Sequence, residues 1–245
     1  MNGYGDFAKV YDSLTDDVGY GKRCDYIEQI FSRHASAKPS LIADLACGTG
    51  SVCLEMDKRG YDMIGIDISP DMLNVAAEKS QGTNILYLNQ DICDFELYGT
   101  VDAALCLLDS VNHLTDDGDI ERLFALLKNY LNPKGLFVFD VNTKHKFEKI
   151  LSDNIYTYET DEVFYVWENN YEDEICDMYV NFFVKGEEGY SRIEQAHSER
   201  YYGRKFLKSV AKKYGFRVEG IYGELTFEKP KRDCQREFWV LKKDS

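Results

Sequence analysis

From Leu41 to Val141 short apolar runs alternate with stretches that carry a helical stripe, and few architectures tolerate that rhythm. LIADLAC (41–47), MIGIDI (63–68), NILYLNQ (84–90), VDAALCLL (101–108) and GLFVFDV (135–141) read as strands, each nearly continuous in apolar residues. Between them, GSVCLEMDKRG (50–60) reads as a helix closed by Gly60. Ser69 is a good N-cap with Pro70 at the first helical position, opening a helix to about Lys79. Ile120, Leu123, Phe124, Leu127 and Leu131 stripe a further helix that stops at Asn132–Gly135. A helix over 22–36, carrying Ile27, Ile30 and Phe31, leads in, and a short one follows around Phe147, Ile150 and Leu151. Buried strands alternating with helices require a parallel sheet covered on both faces.

The rhythm breaks near residue 155. IYTYETDEVFYVWENN, EICDMYVNFFVKG and GYSRIEQAHSERYY read as three antiparallel strands, turning at Asn169-Asn170 and at Gly186–Gly189. Residues 151–200 hold 13 acidic and 3 basic side chains with 10 aromatics. From Gly203 the first pattern returns, with a helix through Phe206, Leu207, Val210 and Tyr214 and then strands FRVEGIYG and CQREFWVLKK. The expected organisation is one α/β domain, 1–154 and 202–245, with a Rossmann-like, mostly parallel seven-stranded sheet and helices on both faces. An antiparallel β lid is inserted at 155–201.

Composition narrows the function. A formal net charge of −14 is poor electrostatics for a phosphate backbone, so nucleic acid is a weak partner. No run of 18 apolar residues suits a membrane, and the N-terminus has no signal-peptide pattern, so a cytoplasmic protein is expected. Seven cysteines without a CxxC, and four histidines at no metal-ligand spacing to them, read as buried thiols, and no metal is expected.

The informative segment is DLACGTG (44–50), at the end of the first strand. Glycines there let the backbone turn sharply and approach a ligand, beside free N–H groups of a helix start. A nicotinamide fingerprint needs a third glycine at position 53, which is Cys53. Asp44, four residues before Gly48, suits the amino group of an amino-acid-like cofactor.

This segment resembles the first motif of class I S-adenosylmethionine-dependent methyltransferases, whose commonest form has Gly in place of Ala46. GIDIS is similar to the second motif, placing Asp67 19 residues after Gly48, where the family binds the ribose hydroxyls, with Ile68 next to it. NQDICDF puts Asp91 and Ile92 where the family meets adenine, and ALCLLDSVNHL puts Leu107 beneath the methionine portion. The resemblance covers roughly 40–145 plus the last helix and two strands. It implies S-adenosylmethionine as cofactor and S-adenosylhomocysteine as product. Tyr11 and Tyr20 are candidates to close the methionine end, and Arg23 to meet its carboxylate.

For the acceptor, no (N/D)PP(Y/F) tetrapeptide or Pro-Cys nucleophile is present; Leu108-Asp109-Ser110-Val111 follows strand four. Small-molecule enzymes similar to glycine and sarcosine N-methyltransferases place an insertion here to supply the acceptor pocket. Tyr165, Trp167, Tyr179 and Phe183 are aromatic candidates for an amine, though any one of them can simply pack the lid. His113, His197 and Arg200 are the titratable or acceptor-contacting candidates, and Asp109 reads as a loop acid or a helix cap as well as a functional group. The resulting expectation is methyl transfer to a small molecule, N- or O-, with an amine favoured. A non-catalytic cofactor-binding scaffold and an RNA methyltransferase, the latter suggested by the basic tail, are the alternatives.

Overall fold

The computed structural model describes residues 18–186 and 189–244. Tyr11 lies outside them. The main sheet runs in the order β10-β11-β5-β4-β1-β2-β3. Its strands are β1 (Leu41–Leu45), β2 (Asp62–Asp67), β3 (Leu86–Asn89), β4 (Val101–Cys106), β5 (Leu131–Asn142), β10 (Phe216–Gly223) and β11 (Arg236–Lys243). The first five pair in parallel, and β11 and β10 add antiparallel at the edge. The chain leaves β1 toward β2 and β3, then returns to place β4 on the other side of β1. That reversal opens a crevice at the carboxyl ends of β1 and β4, where open α/β sheets bind ligands.

Helices cover both faces. Tyr20–His34 (α1) and Ser51–Lys58 (α2) bury Ile27, Ile30, Phe31, Val52 and Met56 against one face. Asp119–Tyr130 (α4) and Arg204–Lys213 (α5) bury Leu123, Phe124, Leu127, Leu207 and Val210 against the other. Phe124 stands edge-on to Phe137, Phe139 and Phe216, an arrangement that truncation to Ala would cost about 3–5 kcal/mol. Pro70–Lys79 (α3) starts as its sequence requires: Met72 N donates to Ser69 Oγ at 3.3 Å. No helix among the described residues is long and apolar enough to cross a membrane.

Between β5 and α5 the chain builds a second, antiparallel sheet of four strands and not three: β6 (Ile155–Glu159), β7 (Val163–Glu172), β8 (Ile175–Gly186) and β9 (Gly189–Arg200). Two sequence readings fail here for identifiable reasons. Thr160 Oγ1 accepts from the Glu162 and Val163 amides, a side-chain turn that splits the first apolar run in two. Asn169-Asn170 is not a turn: Asn169 is buried, and its side chain donates to Asn154 O. The reversal falls instead on Asp173-Glu174, at φ 48° and 67°, left-handed positions usually filled by Asn and Gly.

The inner end of this sheet is joined to the main domain. Cys176 and Met178 pack on Phe147 and Leu151, which lie in a π-helical turn, Lys146–Leu151, after β5. Register fixes which residues face the crevice. Met178 pairs with His197 and Cys176 with Glu199, so His197 and Glu199 share the inner face.

Candidate functional site

The first loop leaves β1 through three left-handed residues, Ala46 (φ 57°), Gly48 (φ 55°) and Gly50 (φ 72°), before α2 begins. Ala46 carries a Cβ in a conformation that disfavours one, a local strain of about 1–2 kcal/mol. The turn brings Cys47 N to Ile66 O at 3.0 Å and Gly48 N to Asp67 Oδ2 at 2.8 Å. Ser69 N donates to the other oxygen of Asp67 at 2.8 Å. Thus β1's loop and β2's end are locked through one carboxylate. Burial raises its pKa, opposed by those two amides.

Two cavities flank the loop. One of about 120 Å³ is lined by Tyr20, Asp44, Gly48 and Leu107. Asp44 is buried, and its pKa is pushed up to about 7 by burial, against the Cys53 thiol that donates to it at 3.4 Å. The other, about 610 Å³, is lined by Asp67, Ile68, Asp91 and Ile92, and further on by His113 and His197. Ile68 is 68% exposed, an apolar platform beside two carboxylates. Ala46, Ser110 and His113 line both cavities.

The residues suit S-adenosylmethionine. A Cβ on Gly48 would meet nothing within 4 Å, so the loop leaves open space beside its backbone. Asp67 keeps acceptor lone pairs beyond its two amide bonds, as paired ribose hydroxyls need. Arg23 is less simply placed. Its Nη2 is 2.9 Å from Glu224 and its Nε donates to Val18 O, while its buried Nη1 finds no partner among the described residues.

Across the crevice lies a buried polar network that the sequence reading did not assemble. Leu108 and Asp109 both adopt positive φ after β4, which turns their amides onto Asp140, each at 2.8 Å. Arg236, from β11, bridges Asp140 and Asp109. Asn142 Nδ2 donates to Asp109 Oδ2 at 2.8 Å and to Glu199 Oε2 at 2.7 Å, while Lys146 Nζ donates to Asn142 Oδ1 at 3.0 Å. Burial acts to raise Asp109, but Arg236 and then Lys146 outweigh it and hold the carboxyl well below its ordinary value. Glu199 goes the other way: burial, then the Asp109 charge, push it up to about 8.

Beside Glu199 stand both histidine candidates. His113 Nε2 is 4.0 Å from Glu199 Oε1, and the His113 and His197 ring centroids are 5.2 Å apart. Burial lowers the pKa of each, and His113 also helps to bring His197 to about 4, so both rings are neutral at pH 7.

The other acceptor candidates are dispersed. Tyr165 pairs with Phe182 and Trp167 with Val180, on the His197 face, but neither lines either cavity: Tyr165 packs in a separate apolar cluster, and Trp167 packs on both that cluster and the one around Cys176 and Met178. Tyr179 and Phe183 project from the opposite face, because antiparallel register sets odd residues of β7 against even residues of β8. Arg200 likewise faces away from His197, bound to Thr115 O at 3.0 Å and Asp117 at 2.9 Å. Glu199 could have been found by parity, being two residues beyond His197 on the same strand face. Asp140, a charge inside the apolar run GLFVFDV, signalled a buried counter-charge without saying which.

Comparison with known proteins agrees with this geometry. A methyltransferase-domain family matches residues 42–135. The chain is 29% identical over 244 residues to the putative methyltransferase YqeM of Bacillus subtilis, covering 98% of this chain and 97% of that one. It is 28% identical over 144 residues to glycine/sarcosine N-methyltransferase of Halorhodospira halochloris, 55% of this chain and 51% of that one. An S-adenosylmethionine-dependent methyltransferase from Clostridium acetobutylicum superposes with a TM-score of 0.90 at 31% identity, covering 99% of both chains. Likeness at that identity over the full length, on the sheet order and glycine loop described, places the protein among the class I S-adenosylmethionine-dependent methyltransferases, enzymes that use this cofactor as methyl donor.

Proposed function

We propose that the enzyme methylates a small-molecule acceptor, at nitrogen or oxygen with an amine favoured, and that the acceptor meets the cofactor at His113. One observation carries this: Ala46, Ser110 and His113 line both cavities. The cofactor runs methionine, sulfonium, ribose, adenine. With Asp44, Gly48, Tyr20 and Leu107 about the methionine and Asp67, Ile68, Asp91 and Ile92 about the nucleoside, its sulfur belongs at the junction.

S-adenosylmethionine supplies an already activated methyl group, so the chain's work is alignment, exclusion of water and, for an ionised acceptor, removal of a proton. His113 and His197 border that junction from the acceptor side, and the four-stranded sheet covers it as a lid. Similarity to a glycine/sarcosine N-methyltransferase over the domain that holds the cofactor supports nitrogen as the receiving atom.

The test is a metabolite-extract screen with methyl-labelled cofactor, reading labelled product and S-adenosylhomocysteine together. Label in small amines is the expected result, and label confined to macromolecules would reject the acceptor class. A second reading, RNA as acceptor, draws on Lys144, Arg204, Lys205, Lys231 and Arg232, which line a cavity of about 540 Å³ beyond β5. Transfer to total RNA that declines steeply with added salt would favour it.

A further inference from the structure

The buried network has a charge count that its own residues do not balance. Four carboxylates, Asp109, Asp140, Glu199 and Glu224, face three cations, Arg236, Lys146 and Arg23, with Glu224 held by Arg23 at 2.9 Å and by Arg236 at 3.8 Å. Arg236 spans the two aspartates, and Lys146 lies 3.6 Å from Asp109. Glu199 is left with one neutral donor, Asn142 on Oε2, and its Oε1 turns toward His113. The excess negative charge therefore resides at Glu199, taken up either by a proton or by a cation from outside the chain. Both histidines have lowered pKa values, which disfavours either as that cation.

We propose that His113, His197 and Glu199 form a three-acceptor cradle that receives the methyl acceptor as a primary ammonium group. This rests on the methyltransfer reading above and names the acceptor's chemical class. Spacing admits the ligand. The three acceptor atoms all lie within 4.8 Å of one another, and His113 and Glu199 are 4.0 Å apart. An ammonium nitrogen donating three tetrahedral hydrogen bonds of about 2.9 Å holds its acceptors about 4.7 Å apart. A tetrahedral zinc ion, at about 2.1 Å from each ligand, needs them about 3.4 Å apart. The 4.8 Å limit admits the hydrogen-bonded cation, while the 4.0 Å between His113 and Glu199 falls between the two cases.

Charge and donor count make the selection. Two neutral imidazoles each offer one lone pair on the nitrogen that carries no hydrogen, and the carboxylate offers several. An alcohol has one O–H to give and no charge, so it satisfies one acceptor and leaves Glu199 uncompensated. A quaternary ammonium has the charge and no N–H. The cradle therefore discriminates twice, by charge and by donor count. Glu199 also has somewhere to send its own proton: the ammonium replaces it, and binding releases a proton at neutral pH. Before transfer the bound ammonium passes one proton to the Glu199 carboxylate it faces, which frees the nitrogen lone pair.

The test follows the two histidine ring resonances by NMR in protein saturated with S-adenosylhomocysteine, titrated with n-butylammonium chloride. Both resonances should move and saturate, n-butanol and tetramethylammonium should leave them in place, and calorimetry should record proton release. Glu199→Gln should weaken butylammonium binding at least about tenfold. His197→Asn, outside the buried network, is the second variant and should weaken it also. Silent resonances with butylammonium, an equal response to tetramethylammonium, or tight stoichiometric zinc binding at these histidines that butylammonium cannot match would each overturn the cradle. Binding of S-adenosylhomocysteine, measured separately, reports on the methyltransfer reading and is indifferent to the cradle.

Discussion

Around the first loop, the groups that meet are close in the sequence. Gly48 N and Ser69 N reach Asp67 from 19 and 2 residues away, and the shape is set by backbone angles at Ala46, Gly48 and Gly50. Across the crevice the groups that meet are far apart: Asn142 to Glu199 spans 57 residues, and Asp109 to Arg236 spans 127. There the shape is set by side-chain charge in a dry interior. The difference teaches what each half can tolerate. A backbone-built site loses affinity when altered, because its amides can still find water. A charge-built site loses stability, because an orphaned ion cannot.

Arg236→Ala presses that contrast hardest. It leaves Asp109 and the fully buried Asp140 without their shared counter-charge, and breaking a buried pair in this way costs about 3–5 kcal/mol. Chemical denaturation should show that loss. Arg236→Lys keeps the charge without the fork and should lose less. If Arg236→Ala unfolds at the wild-type denaturant midpoint, charge does not build this half.

The pH dependence of stability comes next. Glu199 is raised in the folded protein, so between its ordinary value of 4.5 and about 8 the folded state holds a proton that the unfolded state has released. Stability from this group is thus complete below that window and falls as pH rises through it. Asp44, raised to about 7, acts in the same direction. Glu199→Gln removes one contribution and should flatten the decline by on the order of 1 kcal/mol per pH unit, read from urea midpoints at several pH values. An unchanged slope would mean that Glu199 ionises normally where it sits.

These halves were not equally legible. Asp44, Gly48, Asp67 and Asp91 could be read because local order along the chain is also their spatial order along the crevice. The seven-stranded sheet was legible for the same reason, strand by strand. The second sheet was only partly so. Its second hairpin turn uses Asp173-Glu174, which carries no turn signature, and the face on which Tyr179 and Phe183 lie depends on a register that sequence does not print. Of the charge network only fragments were legible, the parity of Glu199 with His197 and the charge of Asp140 in an apolar run, since nothing in the spacing of Asp109, Asn142, Glu199 and Arg236 brings them together.

On the backbone-built side, Asp67→Ala should weaken S-adenosylmethionine binding at least about tenfold, roughly 1.4 kcal/mol. Under the proposed ribose assignment, charge-assisted bonds to two hydroxyls supply this. The structure adds a second route, since Gly48 N and Ser69 N also lose their acceptor and the loop loosens. Asp71, in the first turn of α3, is the control. Calorimetry on both variants decides: an equal loss in Asp71→Ala removes the ribose assignment.

The smallest effect expected is also the cleanest measure of what the loop is for. Gly48 (φ 55°) and Gly60 (φ 83°, just after α2) are both left-handed, and a Cβ on either would meet nothing within 4 Å. Alanine at each should therefore cost the same kind of strain, about 1–2 kcal/mol, with no clash inside the protein. The two sites differ in one respect: Gly48 lines the small cavity beside Asp44, and Gly60 does not. If the cofactor's methionine portion lies against the loop, the open space at Gly48 is space the ligand needs. Gly48→Ala should then lower cofactor affinity several-fold while Gly60→Ala leaves it at the wild-type value. Their matched losses in thermal unfolding serve as the internal check. Equal affinity in the two variants would show that the glycine serves only the turn, and would move the methionine portion away from the loop backbone.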